Sequence, residues 1–231
     1  MAAITWDDSG KHLYETGIDH MVLYKPDQNG DYTNGVAWNG ITAFNETPSG
    51  ADSNPVYADN IKYLDLRSAE EFGATLECLY TPEEFNECDG VVEIAPGILA
   101  YQQSRLAFGL SYRTLIGNEI KGNDFGYKLH LLYNATAAPS EKGYNTVNDS
   151  PETSTLSYEL TTTPIAVQGL KNTALITIDS TLVNSTKLAD LEAILYGTTQ
   201  GSIPRLPKPD EVFTTLGMQF NSTTKKWEQA A

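Results

Sequence analysis

The dominant pattern along the chain is an alternation of apolar and polar residues with a period of two, which is typical of strands that bury one face. In one segment Leu129 and Leu131 lie on the face opposite Lys128 and His130. Glycine, proline and asparagine residues separate the alternating segments, as turns require. The pattern therefore predicts a mainly β fold, an antiparallel sandwich or barrel. The predicted strands lie within residues 72–80, 106–113, 127–133, 155–160 and 173–179.

A short helix is predicted directly after the first of these strands. Residues 81–84 read Thr-Pro-Glu-Glu, which has the form of a capping box with proline at the first helical position. Tyr80 and Phe85 have the spacing of a hydrophobic staple across the start of this helix. We expect the helix to end by Gly90.

A longer helix is predicted to begin at residues 184–186. Leu188, Leu191 and Leu195 recur in it at helical spacing, and Gly197 is suited to the position that follows the last turn. Because the leucines form a single apolar stripe, we expect them to pack this flanking helix against the outside of a sheet.

The remaining segments predict one domain with a long loop and two terminal arms. A length of 231 residues allows one large β-domain or two small ones, but no repeat or low-complexity linker divides the chain. The loop is expected over residues 39–60, which are rich in turn-forming residues and too many for an ordinary hairpin connection. The arms are expected over residues 1–17 and 198–231, the second with a short helical turn that ends at Gly217.

The charge balance excludes one class of function. Fifteen basic residues against thirty acidic ones give a formal net charge of -15. Affinity for nucleic acid comes from Lys and Arg that neutralise phosphates, so this balance argues against a protein that grips DNA or RNA. Solubility is the simplest explanation of the excess acid.

The cysteine content and the apolar runs indicate where the protein is made. Cys78 and Cys88 are too few for a secreted disulfide scaffold. We find neither the pattern of a signal peptide nor an apolar run of about 18 residues that would span a membrane. The sequence therefore predicts synthesis in a reducing cytoplasm.

No motif for catalysis or cofactor binding is found in the sequence. Residues 27–31 have the D-x-N-x-D spacing of a calcium loop, but Tyr32 replaces its glycine and Trp38 its bidentate glutamate, so a turn is the better interpretation. Adjacent acids such as Glu83 and Glu84 do not supply the opposed carboxylates of a glycosidase. We expect no enzyme activity, no metal and no cofactor. No nucleophile or ligand stands at an interpretable spacing from the histidines, which are His12, His20 and His130.

Several blocks of sequence carry a resemblance to a known family. In their order and their amino-acid sequence they resemble the major tail proteins of siphophages and prophages of Gram-positive bacteria, over a stretch from about Gly35 to Tyr196. One block, residues 57–89, reads YADNIKYLDLRSAEEFGATLECLYTPEEFNECD. The blocks are residues 35–52, 57–89, 102–118 and 126–152.

The resemblance implies a tail tube protein of the virion. Proteins of this family fold as a β-sandwich or barrel with a flanking helix, and six copies form a ring in which inner strands join into a continuous barrel. Rings stack into a tube that holds the tape-measure protein and later conducts DNA into the host. The expected partners are further copies of the chain, the tape-measure protein, and the tail terminator and distal tail proteins. The family has no catalytic residues, so none is transferred to this chain.

Assembly contacts are expected at the long loop and the arms, because a long loop and terminal arms bridge neighbouring subunits in this family. Trp38, Phe44, Tyr57 and Asn60 are the candidate interface residues, since aromatic side chains contribute much of the energy of interfaces. A buried core position is the alternative for each aromatic residue. We also expect some of the excess carboxylates to face the lumen, where basic residues would slow DNA through phosphate contacts.

Two other classes of function remain open from the residues alone. A β-sandwich binding module, such as a capsid decoration protein or a carbohydrate-binding protein, fits the composition and the strand pattern equally well. An enzyme is the third alternative. Rings or tubes seen by negative-stain microscopy would favour the tail protein, whereas persistent monomers with glycan affinity would favour the binding module.

Overall fold

The computed structural model describes residues 4–144, 146 and 153–230. None of the helices in these ranges is both long and apolar enough to cross a bilayer. The helices are α1 Ser185–Tyr196 and α2 Pro209–Thr215, with a single 3-10 turn at Glu83–Phe85. The strands are β1 Leu13–Pro26, β2 Tyr32–Ala37, β3 Ile41–Glu46, β4 Ser49–Gly50, β5 Ser53–Ala58, β6 Ile61–Arg67, β7 Glu70–Glu71, β8 Gly73–Cys78, β9 Val92–Ala95, β10 Ile98–Ala100, β11 Phe108–Asn118, β12 Gly122–Ala137, β13 Leu156–Thr162, β14 Leu175–Asp179, β15 Met218–Asn221 and β16 Lys226–Gln229.

Eight strands form one antiparallel sheet around β12. Its main path runs β2-β1-β11-β12-β13-β8-β3, and β14 is a second neighbour of β12. With 16 residues, β12 is long enough to pair with β14 at residues 128–132 and with β13 at residues 135–137. Each of the segments predicted from the alternation contributes a strand to this sheet, which confirms the mainly antiparallel β fold.

The first core brings the two ends of this sheet into one cluster. Leu23 of β1 and Leu110 of β11 lie in the same buried cluster as Leu76 of β8 and Tyr158 of β13. Phe85 from the 3-10 turn stands among them, with its ring centroid 5.1 Å from that of Tyr158. The arrangement is that of a sandwich whose halves belong to one continuous sheet.

The second core lies on the opposite face of β1 and β12, beneath α1. Leu129 and Leu131 of β12 pack there with the buried leucines of the helix, which are Leu188, Leu191 and Leu195. The Asn184 side chain caps the helix, because its Oδ1 accepts from the backbone N–H groups of Thr186 and Lys187 at 3.0 and 3.2 Å. The helix therefore forms a third layer outside the sandwich.

The helix predicted after β8 is only one 3-10 turn, and its capping box does not form. Pro82 rather than Thr81 precedes the turn, and no side chain caps it. Tyr80 stays 63% exposed while Phe85 is buried, so the expected staple between them is absent. The chain is held here by burial of Phe85 in the first core and by a 2.9 Å hydrogen bond from Trp38 Nε1 to the Tyr80 carbonyl.

The irregular loop predicted over residues 39–60 contains strands instead. Its first part is β3, which pairs with β8 at the end of the main sheet. Its second part is β5, which forms a separate two-stranded hairpin with β6. Asp59 and Asn60 connect β5 and β6 with φ angles of 51° and 63°, as the central residues of a type I′ turn require. The turn-forming residues thus belong to a hairpin and not to an irregular connection.

Both predicted arms are shorter than expected. The N-terminal arm, residues 1–17, ends where β1 begins at Leu13; its residues 1–3, like residue 231 of the C-terminal arm, lie outside the described ranges. Most of residues 198–231 is folded onto the body, because Leu206 and Val212 are buried in the second core. The helical turn predicted before Gly217 is α2.

Candidate assembly surface

The two faces of the main sheet are covered differently along four of its strands, which are β1, β11, β12 and β14. One face is covered by α1, which packs on Leu129 of β12 and on Ile176 and Ile178 of β14. The opposite face is part of the first core at one end of the strands. Towards the other end it continues beyond the core as a polar surface.

A polar network adds to the contacts beneath α1. The Arg113 guanidinium donates to Asp19 at 2.9 and 3.2 Å and lies 4.7 Å above the ring of Tyr127. Burial opposes ionisation of Asp19, but the adjacent Arg113 outweighs it and lowers the pKa of that carboxyl. The Tyr127 hydroxyl donates to Glu192 on α1 at 2.8 Å, and burial together with this carboxylate raises the pKa of Tyr127 to about 12. The helix is therefore fixed to the sheet by both apolar and polar contacts.

The face opposite α1 carries polar side chains on all of these strands, and we call it the open face. Register and alternation place Thr114 opposite Lys128, and Lys128 opposite Asp179. Glu15 and Thr177 on this face are exposed, and the other three residues are half-buried. The polar residues of the open face are Glu15, Thr114, Lys128, Thr177 and Asp179. The register also places Leu13, which is 57% exposed, and the buried Ile116 on this face.

His130 marks the boundary between the open face and the first core. Its ring stacks on that of Tyr112 at 4.6 Å and is 6% exposed. The hydroxyls of Thr114 and Thr177 lie 2.9 and 3.1 Å from its two ring nitrogens. Burial lowers the pKa of His130, although Glu46 at 3.9 Å opposes this shift. The histidine is a satisfied structural group, as these contacts occupy both nitrogens.

Every lysine and arginine on these four strands is paired with a carboxylate. Lys25 donates to Glu87 at 2.9 Å, and Arg113 is held by Asp19 beneath α1. Lys128, the only lysine or arginine of the open face, donates to Glu15 on the neighbouring part of the sheet. On these four strands the acidic excess of the chain therefore leaves each lysine and arginine with a carboxylate partner.

Both side edges of the four-stranded sheet are bare within the described ranges. On one side β2 pairs with β1 only from Val22 onward, so residues 13–20 of β1 pair with β11 alone. On the other side β14 pairs with β12 alone. Ala174 and Ser180 direct their backbone groups to β12, and backbone groups alternate in an antiparallel ladder, so Thr177 directs its N–H and C=O outward. Unpaired edges of this kind are templates for a strand of another chain.

The edge of β2 is not bare in the same way, because the C-terminal segment lies along it. The Gly35 N–H donates to the Pro204 carbonyl at 2.9 Å, and the Leu206 N–H donates to the Tyr32 carbonyl at 3.1 Å. An irregular segment that covers an edge is one way in which proteins prevent unwanted pairing. On this side of the main sheet the edge of β2 is therefore covered, whereas residues 13–20 of β1 are not.

The β5–β6 hairpin is exposed along nearly its whole length. Val56 pairs with Leu64, and Asn54 with Leu66, which places these four side chains on one face of the hairpin. An isolated two-stranded hairpin is at best marginally stable in water, and large exposed apolar groups are typical of interaction sites. The large apolar residues exposed on this hairpin are Val56, Tyr57, Ile61, Tyr63, Leu64 and Leu66.

The structure divides the candidate interface residues into two pairs. Tyr57, which is 68% exposed, and Asn60 lie on the β5–β6 hairpin. Trp38 is only 2% exposed, and its ring centroid lies 4.5 Å from that of Phe85 with the two planes tilted by 51°. Phe44 is half-buried and its ring lies 4.4 Å from that of Tyr112. Within the subunit, Trp38 and the half-buried Phe44 have the contacts of the core alternative, and an interface role for either residue stays a prediction.

The sequence interpretation missed a second exposed hairpin, β9–β10. Ile94 and Ile98 on its two strands are exposed, as is Tyr101 just beyond it. Gly97 lies in the connection with a φ of 79°, a conformation that glycine adopts readily. The signal was available, because short apolar runs on both sides of a glycine favour a hairpin.

The described residues offer little for catalysis or metal binding. No group of three or more His, Cys, Asp or Glu side chains among them is placed to hold a metal ion. Residues 27–31 form a turn in which Asp27 Oδ1 accepts from the N–H groups of Asn29 and Asp31 at 2.8 and 3.0 Å. Cys78 and Cys88 are buried free thiols, and burial raises their pKa values to about 11 and 12, which makes the reactive thiolate scarce at neutral pH.

Comparison with known proteins gives likenesses of fold alone. A chain in the baseplate of the anti-feeding prophage is 10% identical, with a TM-score of 0.37, and the match covers 76% of this chain and 97% of that one. A chain in the sheath–tube complex of an extracellular contractile injection system in the extended state is 12% identical, with a TM-score of 0.32 and coverage of 69% and 88%. A chain in the tube-terminating cap of the anti-feeding prophage is 10% identical, with a TM-score of 0.34 and coverage of 78% and 96%. No family model matches the chain, and no curated protein does. At these identities and TM-scores the likenesses carry no argument about function.

Proposed function

We propose that this protein is the structural subunit of a phage tail tube, and that copies join edge to edge through β1 and β14. One observation carries the proposal: the sheet formed by β1, β11, β12 and β14 is covered by a helix on one face, is largely polar on the part of the other face beyond the first core, and is bare at both side edges. A sheet with these properties is incomplete as a monomer but complete in a closed ring. The resemblance of the sequence blocks to major tail proteins supports the same function.

The directions of the strands fit such a seam. Neighbouring strands in the β1-β11-β12-β14 sheet are antiparallel throughout. The outward edge of β14 therefore meets β1 of the next copy in the antiparallel sense and continues the alternation. A contact in which one edge meets a different edge is heterologous, and it generates a ring when the rotation closes. We take the number of copies in the ring, six, from the resemblance.

The two faces define an inside and an outside for the ring. The layer formed by α1 adds thickness to one face and needs the larger circumference, so it lies outside. The open face then lines the lumen. Its only lysine is paired with a carboxylate, so a DNA duplex meets a surface without strong phosphate contacts.

The β5–β6 hairpin is the proposed contact between stacked rings. It lies apart from the main sheet and presents apolar side chains that the subunit does not bury. Docked on a neighbouring copy, these side chains leave water, which is favourable by about 25 cal/mol per Å² of apolar surface. The resulting tube belongs to the virion, where it encloses the tape-measure protein and meets the terminator and distal tail proteins at its ends.

A proline substitution on β14 tests the seam. In Thr177→Pro the outward N–H is lost, so the edge no longer pairs, whereas Thr177→Val removes only the hydroxyl and retains the backbone donor. We expect Thr177→Val to form rings or tubes in negative-stain images and Thr177→Pro to remain monomeric with an unchanged circular dichroism spectrum. Tubes of Thr177→Pro would contradict the seam.

The wild-type protein tests the function itself. With a charge of -15 on each copy, we expect polymerisation to increase with salt, because screening acts over about 8 Å at physiological ionic strength. Light scattering across a salt series measures this dependence. Persistent monomers at every salt concentration, together with affinity for a glycan, would instead support the binding-module alternative.

A further inference from the structure

We infer that Glu15 neutralises Lys128 so that the lumen of the tube holds no free base that would retain duplex DNA. This inference rests on the proposed function and assigns a role to one ion pair of the open face. Lys128 Nζ donates to Glu15 Oε1, and the two residues lie on strands 113 positions apart in the sequence. Their side chains are 29% and 51% exposed, so a duplex in the lumen would have access to both.

Because of the position of Lys128, its pairing with Glu15 determines whether the open face can bind a phosphate. Arg113 is beneath α1 on the other face, and Lys25 donates to Glu87 away from the open face. Among the residues that the structure describes on these four strands, Lys128 is therefore the one lysine or arginine of the open face at which a phosphate could be bound. In a ring the same lysine recurs at one height, and in a stack of rings it recurs along the whole path of the DNA.

The proposed role of the Glu15–Lys128 pair is not to stabilise the fold. Pairs of this kind contribute little to folding stability because solvent screens them and side-chain entropy opposes them. The Glu15–Lys128 pair has a larger effect on the affinity of the lumen for DNA that passes through it. Each lysine that contacts a phosphate adds about 0.9 to the slope of log affinity against log salt, and the contacts of successive subunits add together.

Other groups near the pair do not replace Glu15. Asp179 pairs with Lys128 in the β12–β14 register, but among the described residues Lys128 forms an ion pair with Glu15 and none with Asp179, whose Oδ1 accepts from the backbone N–H and the hydroxyl of Thr181 at 2.8 and 2.6 Å. Glu46 lies near His130 and accepts from the Tyr112 hydroxyl at 2.9 Å. Glu15 is the carboxylate that Lys128 contacts, so its removal leaves the lysine free for a phosphate.

The experiment compares DNA retention by assembled tubes of full-length variants. The variants are Glu15→Gln, the double variant Glu15→Gln with Lys128→Gln, and Glu84→Gln, which makes the same charge change on the 3-10 turn. Tubes are incubated with a short fluorescent DNA duplex and sedimented at a series of salt concentrations. We expect Glu15→Gln tubes to retain roughly tenfold more duplex at low salt than wild-type tubes, with a steeper salt dependence. The double variant and Glu84→Gln should behave as wild type.

Each outcome decides a separate question. Equal retention by Glu15→Gln and Glu84→Gln tubes overturns the inference, and so does a double variant that retains as much duplex as Glu15→Gln. If Glu15→Gln fails to fold, Glu15→Ala also leaves Lys128 without its carboxylate, and tubes of Glu15→Ala without increased retention overturn the inference too. Absence of wild-type tubes overturns the proposed function itself, which is distinct from tubes that form but show no difference in retention.

Discussion

The central strand β12 and the β5–β6 hairpin contain similar proportions of large apolar residues but bury them in opposite ways. Leu129, Leu131 and Tyr133 of β12 are fully buried between the layers of the subunit. Leu64 and Leu66 of the hairpin remain exposed, although they alternate just as regularly. Alternation therefore specifies which side chains share a face, and it does not specify whether the same chain covers that face. In β12 the covering is intramolecular, and in the hairpin we propose that it is a second copy.

The largest expected effect separates assembly from folding. In the double variant Leu64→Ser with Leu66→Ser, we expect polymerisation to be lost while the melting temperature of the monomer stays unchanged, because exposed side chains contribute within about 0.5 kcal/mol to stability. Light scattering and thermal unfolding measure the two properties.

Asn54 lies on the same hairpin face and supplies the matched control for that double variant. Since it is already polar, Asn54→Ser should polymerise as the wild type does. Tubes of the double variant at wild-type yield would show that the hairpin is not an assembly contact.

A pair of leucine truncations compares the two regions directly. Leu131→Ala leaves a cavity in the second core and should lower the free energy of unfolding by about 2–5 kcal/mol. Leu66→Ala removes a side chain that is 56% exposed and should lower it by less than about 0.5 kcal/mol. Urea denaturation of both monomers measures the difference. Equal losses would mean that the hairpin packs against the subunit in solution.

The smallest expected effect concerns a polar group in the buried region. Burial lowers the pKa of His130 in the folded state, so below its ordinary value of about 6.5 the unfolded chain takes up the proton first. The stability due to the neutral histidine is complete above that value and is lost as the pH falls towards the folded pKa. As the pH falls below about 6.5 we therefore expect the wild type to lose more stability than His130→Gln.

Asn54→Ser is the control for this pH dependence, because it changes an exposed side chain that does not titrate. Asn54→Ser should retain the wild-type slope of unfolding free energy against pH. If His130→Gln shows that slope as well, the neutral buried histidine does not determine the dependence.

The sequence predicts the strands of the main sheet where alternation is regular, and it fails where the backbone departs from regularity. β1 was not predicted, since its pairing with β11 shifts register between Thr16 and Asp19 and again before Val22, with His20 at a φ of 50°. Each shift moves the following residues to the other face and breaks the period of two. The β5–β6 hairpin was missed for another reason: its turn residues were interpreted as part of an irregular loop.

The candidate site was less predictable than the fold because it depends on contacts between distant residues. Tyr57 and Asn60 were identified as candidate interface residues, and they lie on the exposed hairpin. The burial of Trp38 was not predicted, because it depends on a contact with Phe85 that nothing local to Trp38 indicates. The Glu15–Lys128 pair has no sequence signal at all, since only the pairing of β1, β11 and β12 brings the two residues together.

The cover on the β2 edge has a consequence for the timing of folding. Tyr32 is paired with Leu206, which a ribosome adds roughly 170 residues later. At about 5–20 residues per second, the edge of β2 stays open for some 10–35 s of synthesis after its own residues have been made. During that interval a nascent chain presents an unprotected strand to its neighbours on the same messenger. The chain therefore completes its protection against premature pairing only near the end of translation.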